Sequence, residues 1–224
     1  GVRLRKFQEE VFDALGKYGR VLLNAPTGSG KTMTVVLAAI KAWLEGSLYP
    51  VVGIYPSRAL VYDQARSVKE SLRRMGFEQV GDTEFRGRLI INGEDRGEVA
   101  LNVYILTGEK KEVPSEVGLR QSIVLTVPEY PYMYLWAMNK WDIASEVIRA
   151  AAEHGFDEAL KAVQERVTRS DVREVWNYFS AFFNGYWFVD EFHLYTGLER
   201  GSLYTLLDMY ERYNAYIEGN KTVV

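Results

Sequence analysis

Arg20-Val21-Leu22-Leu23-Asn24-Ala25-Pro26-Thr27-Gly28-Ser29-Gly30-Lys31-Thr32 is the stretch that decides the fold. A short apolar run leads into a glycine-rich loop, and from Lys31 the chain is apolar and alanine-rich as far as Glu45, stopping at Gly46. That order reads as strand, loop and buried helix. Val51 to Tyr55 reads as a second buried strand closed by Pro56, and strand, loop, helix, strand is the unit of a parallel sheet. The loop has mechanics of its own. Its glycines let backbone N–H groups converge on an anion at the positive end of the following helix. Lys31 supplies a point charge for β- and γ-phosphates, and the Thr32 hydroxyl can ligate Mg²⁺. Thr27, Gly28, Ser29, Gly30, Lys31 and Thr32 are therefore candidate nucleotide-binding residues. The first position is Ala25 where the stricter phosphate-loop pattern has glycine, and the competing reading is a solvated glycine-rich turn.

A phosphate loop needs a second, carboxylate-bearing strand to hold Mg²⁺ and orient the attacking water. Tyr186-Trp187-Phe188-Val189-Asp190-Glu191-Phe192-His193 has that form, an apolar strand ending in two adjacent acids. Asp190 is the candidate metal-side carboxylate and Glu191 the candidate base or water-positioning group. Without the loop, the same residues would read as a surface acid pair after a core strand. His193 reads either as a satisfied polar residue at a strand end or as a group that couples the site to its surroundings.

The chain has 224 residues, 47% hydrophobic and 25% charged, with a formal charge of -3. This is enough for one globular core. There is no cysteine, and His154 and His193 are the two histidines, which removes thiol catalysis, zinc-thiolate sites, disulfides and multi-histidine metal centres. No stretch approaches the roughly 18 to 20 apolar residues of a membrane span, and the start GVRLRKFQEE is no signal-peptide core. The expectation is a cytosolic chain with no membrane partner. A net acidic domain can still carry a local basic groove.

Residues 5–15 predict a helix ending at Gly16, residues 59–75 an amphipathic helix, and residues 122–126 and 186–189 buried strands. Strand formers at 89–91 and 99–106 flank Asn92-Gly93-Glu94-Asp95, a hairpin signal. Residues 202–217 predict a helix and 221–224 the start of a strand. The block at 132–184 predicts two or three helices, as an insertion before the acid-bearing strand. The fold class is α/β: a mostly parallel central sheet with helices on both faces.

The ordered set AxTGxGKT then DExH resembles the first RecA-like domain of a superfamily 2 helicase or translocase. Weaker matches fall in the family's order. Arg5-Lys6-Phe7-Gln8 resembles the segment whose Gln reads the adenine edge, an amide being able to donate and accept. Tyr55-Pro56-Ser57-Arg58-Ala59-Leu60 with Gln64 resembles the PTRAL segment, in which an Arg and a helix N-terminus meet strand phosphates. Thr126-Val127-Pro128-Glu129 resembles the TxPE segment, and Thr107-Gly108-Glu109 the intervening TG element. The resemblance implies ATP and Mg²⁺ as cofactors and Lys31, Asp190, Glu191 and His193 as catalytic residues. It also implies a single-stranded nucleic acid, DNA favoured, held without strong sequence preference at Ser57, Arg58, Thr107, Gly108, Thr126 and Glu129. The expected partner of such a domain is a second RecA-like domain that supplies an arginine finger, and the chain is expected to be the front half of that engine, nearly inactive alone. The form VDEFHLY and the long insertion further resemble the helicase subunit of CRISPR type I interference systems, which is recruited to a surveillance complex beside a separate nuclease. Two readings compete with the motor: a P-loop ATPase of another kind, such as a small-molecule kinase, and a docking module without turnover. Tyr130, Tyr132, Tyr134, Trp136 and Trp141 read as core or as base-stacking rings, and Arg86, Arg88, Lys110 and Lys111 as solvated or, for the lysines, as a channel rim.

Overall fold

The computed structural model describes residues 3–18, 20–21, 30–108, 121–130, 185–216 and 222–223, and a few single positions between 146 and 161. The chain runs α1 (Lys6–Tyr18), β1 (Arg20–Val21), α2 (Lys31–Leu44), β2 (Val51–Ile54), α3 (Arg58–Arg74), β3 (Glu78–Gln79), β4 (Glu84–Ile91), β5 (Glu94–Leu106) and β6 (Ser122–Thr126). It continues through β7 (Tyr186–Val189), a short 3-10 turn at Phe192–Leu194, α4 (Gly197–Tyr216) and β8 (Thr222–Val223). The expected insertion at 132–184 lies outside the described residues apart from single positions.

Among the described residues the strands form one sheet in the order β1-β8-β7-β2-β6-β5-β4-β3. From β1 to β5 every neighbouring pair is parallel; β5, β4 and β3 pair antiparallel. The sequence reading of a mostly parallel α/β sheet is therefore what forms. β2 and β6 are buried along their whole lengths, as expected of central strands with cover on both faces. The connections explain that cover. The crossovers through α2 and α3 advance in one direction along the strand order, and the one through α4 returns, so right-handed connections put α4 on the opposite face. There Trp187 of β7 meets Tyr210 of α4 at 4.6 Å between ring centroids.

Helix α2 is apolar on nearly all sides, burying Val36, Leu37, Ala39 and Ile40 completely, whereas α3 buries one stripe, Val61, Ala65, Val68 and Leu72. Both helices end in left-handed glycines, Gly46 and Gly76, which satisfy the last carbonyls as a Cβ-bearing residue could do only under strain. The hairpin turn is the two-residue Asn92-Gly93, with φ of 52° and 85°, the mirror-image geometry that suits twisted strands.

Four boundaries differ from the sequence reading by three residues or more, one being β4, which begins at Glu84 rather than Leu89. α1 continues through Gly16 to Tyr18, because one glycine weakens a helix by only about 1 kcal/mol. β5 begins at Glu94, since the tight turn leaves both sides free to pair from its first residue. α4 begins at Gly197, ahead of the expected Ser202. Glycines at 197 and 201 disfavour a helix there, but Glu199 complements the positive first turn and the Arg200 Nε donates to the Tyr195 carbonyl at 2.9 Å, fixing that turn in place.

Candidate nucleotide cleft and strand face

Gly30 stands at the N-terminus of α2 with φ 94° and ψ 25°, a left-handed conformation. Among the described residues no side chain caps the helix there and its first turn holds no acid, so its positive end is open to an anion. It opens on a cleft of about 550 Å³ whose walls include Arg5, Gln8, Lys31, Thr32, Gln64, Asp190 and Glu191. Thr27, Gly28 and Ser29 lie outside the described residues.

Gln8, read from sequence as an adenine-edge group, is 3% exposed. Its Oε1 accepts from the Arg5 N–H at 2.9 Å, and its Nε2 donates to the Gly30 carbonyl at 3.5 Å. That carbonyl also accepts from the Thr34 hydroxyl and N–H, both at 3.0 Å, so α1 is braced against the last glycine of the loop. The Thr32 hydroxyl donates to Gln64 Oε1 at 3.1 Å, a contact that ties the N-terminal end of α2 to α3.

β7 lies beside β2 in parallel, Val189 opposite Ile54, and this register carries Asp190 to the same cleft. The Asp190 N–H donates to the Ile54 carbonyl at 3.2 Å, and its Oδ1 accepts from the Glu191 N–H at 2.9 Å. Glu191 has φ 52° and ψ 42°, an uncommon backbone for a residue with a Cβ. It turns the chain sharply into Phe192–Leu194. His193, with a side chain 74% exposed, stands 3.4 Å from the Glu191 carboxylate. Beneath the acids, the Tyr55 and Tyr195 hydroxyls are pushed up from the usual phenol range, first by burial and then by neighbouring charge, from Asp190 on Tyr55 and from Tyr55, Asp190, Glu129 and Glu191 on Tyr195. Both stay neutral donors.

The residues expected to meet a strand divide into two groups. Ser57, Arg58 and Gly108 are exposed; Ser57 caps α3, its Oγ accepting from the Leu60 N–H at 3.3 Å. Glu129 is half-buried, and its carboxyl is raised by that burial, with Glu199 adding to the effect and Arg58 opposing it. Arg58, Glu129 and Glu199 therefore converge from α3, the end of β6 and the start of α4. Thr107 and Thr126 are 3% and 1% exposed. The Thr126 hydroxyl donates to the Leu106 carbonyl at 2.7 Å and the Thr107 hydroxyl stands 3.5 Å from that of Tyr62, so both side chains are occupied inside the protein. Tyr130 is buried, while the other aromatics of that stretch and Lys110 and Lys111 lie outside the described residues. Arg86 and Arg88 are exposed and paired with Glu84 and Asp95.

For Mg²⁺ the cleft offers the Thr32 hydroxyl and the Asp190 carboxylate, with Glu191, Asp63 and Glu70 also on its walls. No cluster of three or more acidic or histidine ligands occurs among the described residues. Hydroxyl and carboxylate oxygens suit a hard cation that keeps much of its water and takes other ligands from a nucleotide's phosphates. Sequence reasoning missed Tyr195, whose ring carries no signal separating it from core aromatics, and the contact between Gln64 and Thr32, which joins two motifs read separately.

Residues 5–111 match the family model described as DEAD/DEAH box helicase. The matched span runs from the residue before α1 through β5, and takes in Gln8, the phosphate loop, Ser57-Arg58 and Thr107-Gly108. Asp190 and Glu191 fall beyond it. No curated protein matches the chain. No helix among the described residues is long and apolar enough to cross a membrane.

Proposed function

We propose that the chain is the ATP-binding motor domain of a helicase or translocase that moves on single-stranded nucleic acid, DNA in preference. The observation that carries this reading is the cleft itself: Lys31 and Thr32 from one part of the chain and Asp190 and Glu191 from another line the same wall space. The family match over residues 5–111 supports the helicase class in particular.

In this reading the α2 N-terminus and the Lys31 ammonium hold the β- and γ-phosphates, and the Gln8 amide is within the same cleft as the base. Thr32 and Asp190 would hold Mg²⁺, which when bound neutralises charge on the phosphates. Glu191 orients a water and takes its proton as the water oxygen bonds to the γ-phosphorus; the bond from that phosphorus to the bridging oxygen breaks, leaving ADP and phosphate. A cation on the opposite side of the developing charge is assigned to a second RecA-like domain, worth about a thousandfold in turnover. Ser57, Arg58 and Gly108 meet strand phosphates, Thr107 and Thr126 shape that face from within, and His193 links it to Glu191. The narrower placement, in a CRISPR interference system as the motor beside a surveillance complex and a separate nuclease, rests mainly on the form of the segment at 189–195, with the long insertion before it.

Two variants test the reading. Lys31→Ala should weaken Mg-ATP binding tenfold or more, equivalent to about 1.4 kcal/mol, measured with a fluorescent nucleotide. Arg58→Ala should weaken binding of a single-stranded oligonucleotide while leaving nucleotide affinity intact. Unchanged nucleotide affinity in the first variant would remove the ATPase reading. A wild-type chain indifferent to the oligonucleotide would favour a kinase-like ATPase.

A further inference from the structure

One backbone carbonyl joins the two halves of the site. The Ile54 carbonyl, at the end of β2, accepts from the Asp190 N–H at 3.2 Å and from the Tyr195 hydroxyl at 2.7 Å. Its two lone pairs are thereby both used. The same peptide leads directly through Tyr55 and Pro56 to Ser57 and Arg58, and the Tyr55 N–H donates to the Thr126 carbonyl at 3.0 Å. Tyr195 is 1% exposed and is itself held from behind, its own carbonyl accepting from Arg200 Nε at 2.9 Å. A buried phenol needs some acceptor. Here the acceptor is the carbonyl that also fixes the metal-side acid, and it lies four residues before the exposed arginine of the strand face.

We propose that Tyr195 is a positioning residue that couples the acid pair to the strand-binding turn, so that nucleotide occupancy and strand affinity depend on each other through the Ile54 carbonyl. This rests on the motor reading above. A shift of the Asp190 backbone must move the Ile54 peptide or break a hydrogen bond. The Tyr195 hydroxyl opposes the second outcome by pinning that peptide to the turn that follows Glu191. Arg200 acts one step further back, by fixing the Tyr195 backbone to the first turn of α4.

The test is the ratio of oligonucleotide dissociation constants with and without a saturating non-hydrolysable Mg-ATP analogue. Coupling between sites commonly amounts to about 5- to 150-fold. Wild type should show a ratio well away from one, and Tyr195→Phe, which keeps the ring and loses the hydroxyl, should bring it within about twofold of one. Both separate affinities should stay within about threefold of wild type, a pattern that simple loss of packing would not give. Arg200→Ala, an exposed position, should reduce the ratio partway and decides the matter if Tyr195→Phe does not fold. A wild-type ratio of one, or an unchanged ratio in the variant that folds, would overturn the proposal while leaving the motor reading intact. Failure of wild type to bind either ligand would overturn the motor reading and this one with it.

Discussion

Replacing Gly30 by alanine isolates the contribution of one backbone conformation to the nucleotide cleft. A Cβ there would sit 3.6 Å from Gln8 Nε2 and 3.9 Å from Phe7 Cζ, which is ordinary contact. The cost is therefore conformational: alanine at φ 94° is disfavoured by about 1 to 2 kcal/mol. The stiffer unfolded chain returns about 0.4 to 1 kcal/mol, leaving a net loss of about 0.8 kcal/mol at mid-range and at most about 1.6 kcal/mol, or about 2 to 3 °C and at most about 6 °C in Tm for a chain of this size. If the backbone relaxes instead, the N-terminus of α2 turns off the phosphates and nucleotide binding weakens by about 1 to 2 kcal/mol, about fivefold to thirtyfold. Gly46 is the internal control, at the other end of the same helix. It has φ 99° and open space around its Cβ position, and its N–H and that of Ser47 close the helix on the Trp43 and Ala42 carbonyls, each at 3.0 Å. Gly46→Ala should carry a similar loss of Tm and no loss of affinity. Thermal unfolding and fluorescent-nucleotide titration of the two variants measure both quantities. Wild-type nucleotide affinity together with wild-type Tm in Gly30→Ala would refute the reasoning, since either the strained backbone or its relaxation must show.

Gly87→Ala should destabilise by about 1 to 3 kcal/mol, because its Cβ would fall 2.8 Å from the Phe77 Cα and 2.7 Å from Cγ and backbone cannot step aside as a side-chain tip can; chemical denaturation at wild-type midpoint would contradict this. Glu129 gives a pH signature. Its carboxyl is raised by burial, so the folded state holds the proton more tightly than the unfolded chain. The contribution is complete below the ordinary carboxylate range and disappears as pH rises through the folded value. Glu129→Gln should therefore gain Tm over wild type as pH is raised from the acid range to neutrality, and a pH-independent difference would count against the burial.

The residues proposed for phosphate and acid chemistry could be read in order along the chain because such motifs are written in local composition. A glycine-rich loop between an apolar run and an apolar helix constrains its own geometry, and Asn92-Gly93 sets its hairpin by the positive φ both residues tolerate. The apolar runs at 51–55, 122–126 and 186–189 likewise became strands, the first ending one residue early at Ile54, since near-complete burial leaves little polar phase to blur their ends. Local signals failed where packing outweighed propensity. Two glycines concealed the first turn of α4, and Gly16 did not stop α1.

By itself, then, the sequence determined most of the described element types and put forward Lys31, Thr32 and the acid pair as candidates, because each is written in adjacent residues. Strand order was a different matter. Only the tertiary structure set β7 between β2 and β8, and only that neighbourhood delivers Asp190 to the cleft of Lys31 and hangs Asp190 and Tyr195 on one carbonyl. It also turned Thr107 and Thr126 inward and left Ser57 and Arg58 outside. Hydrogen-bond pairing between strands and the direction a side chain faces depend on what packs beside it, and no local pattern encodes the neighbour.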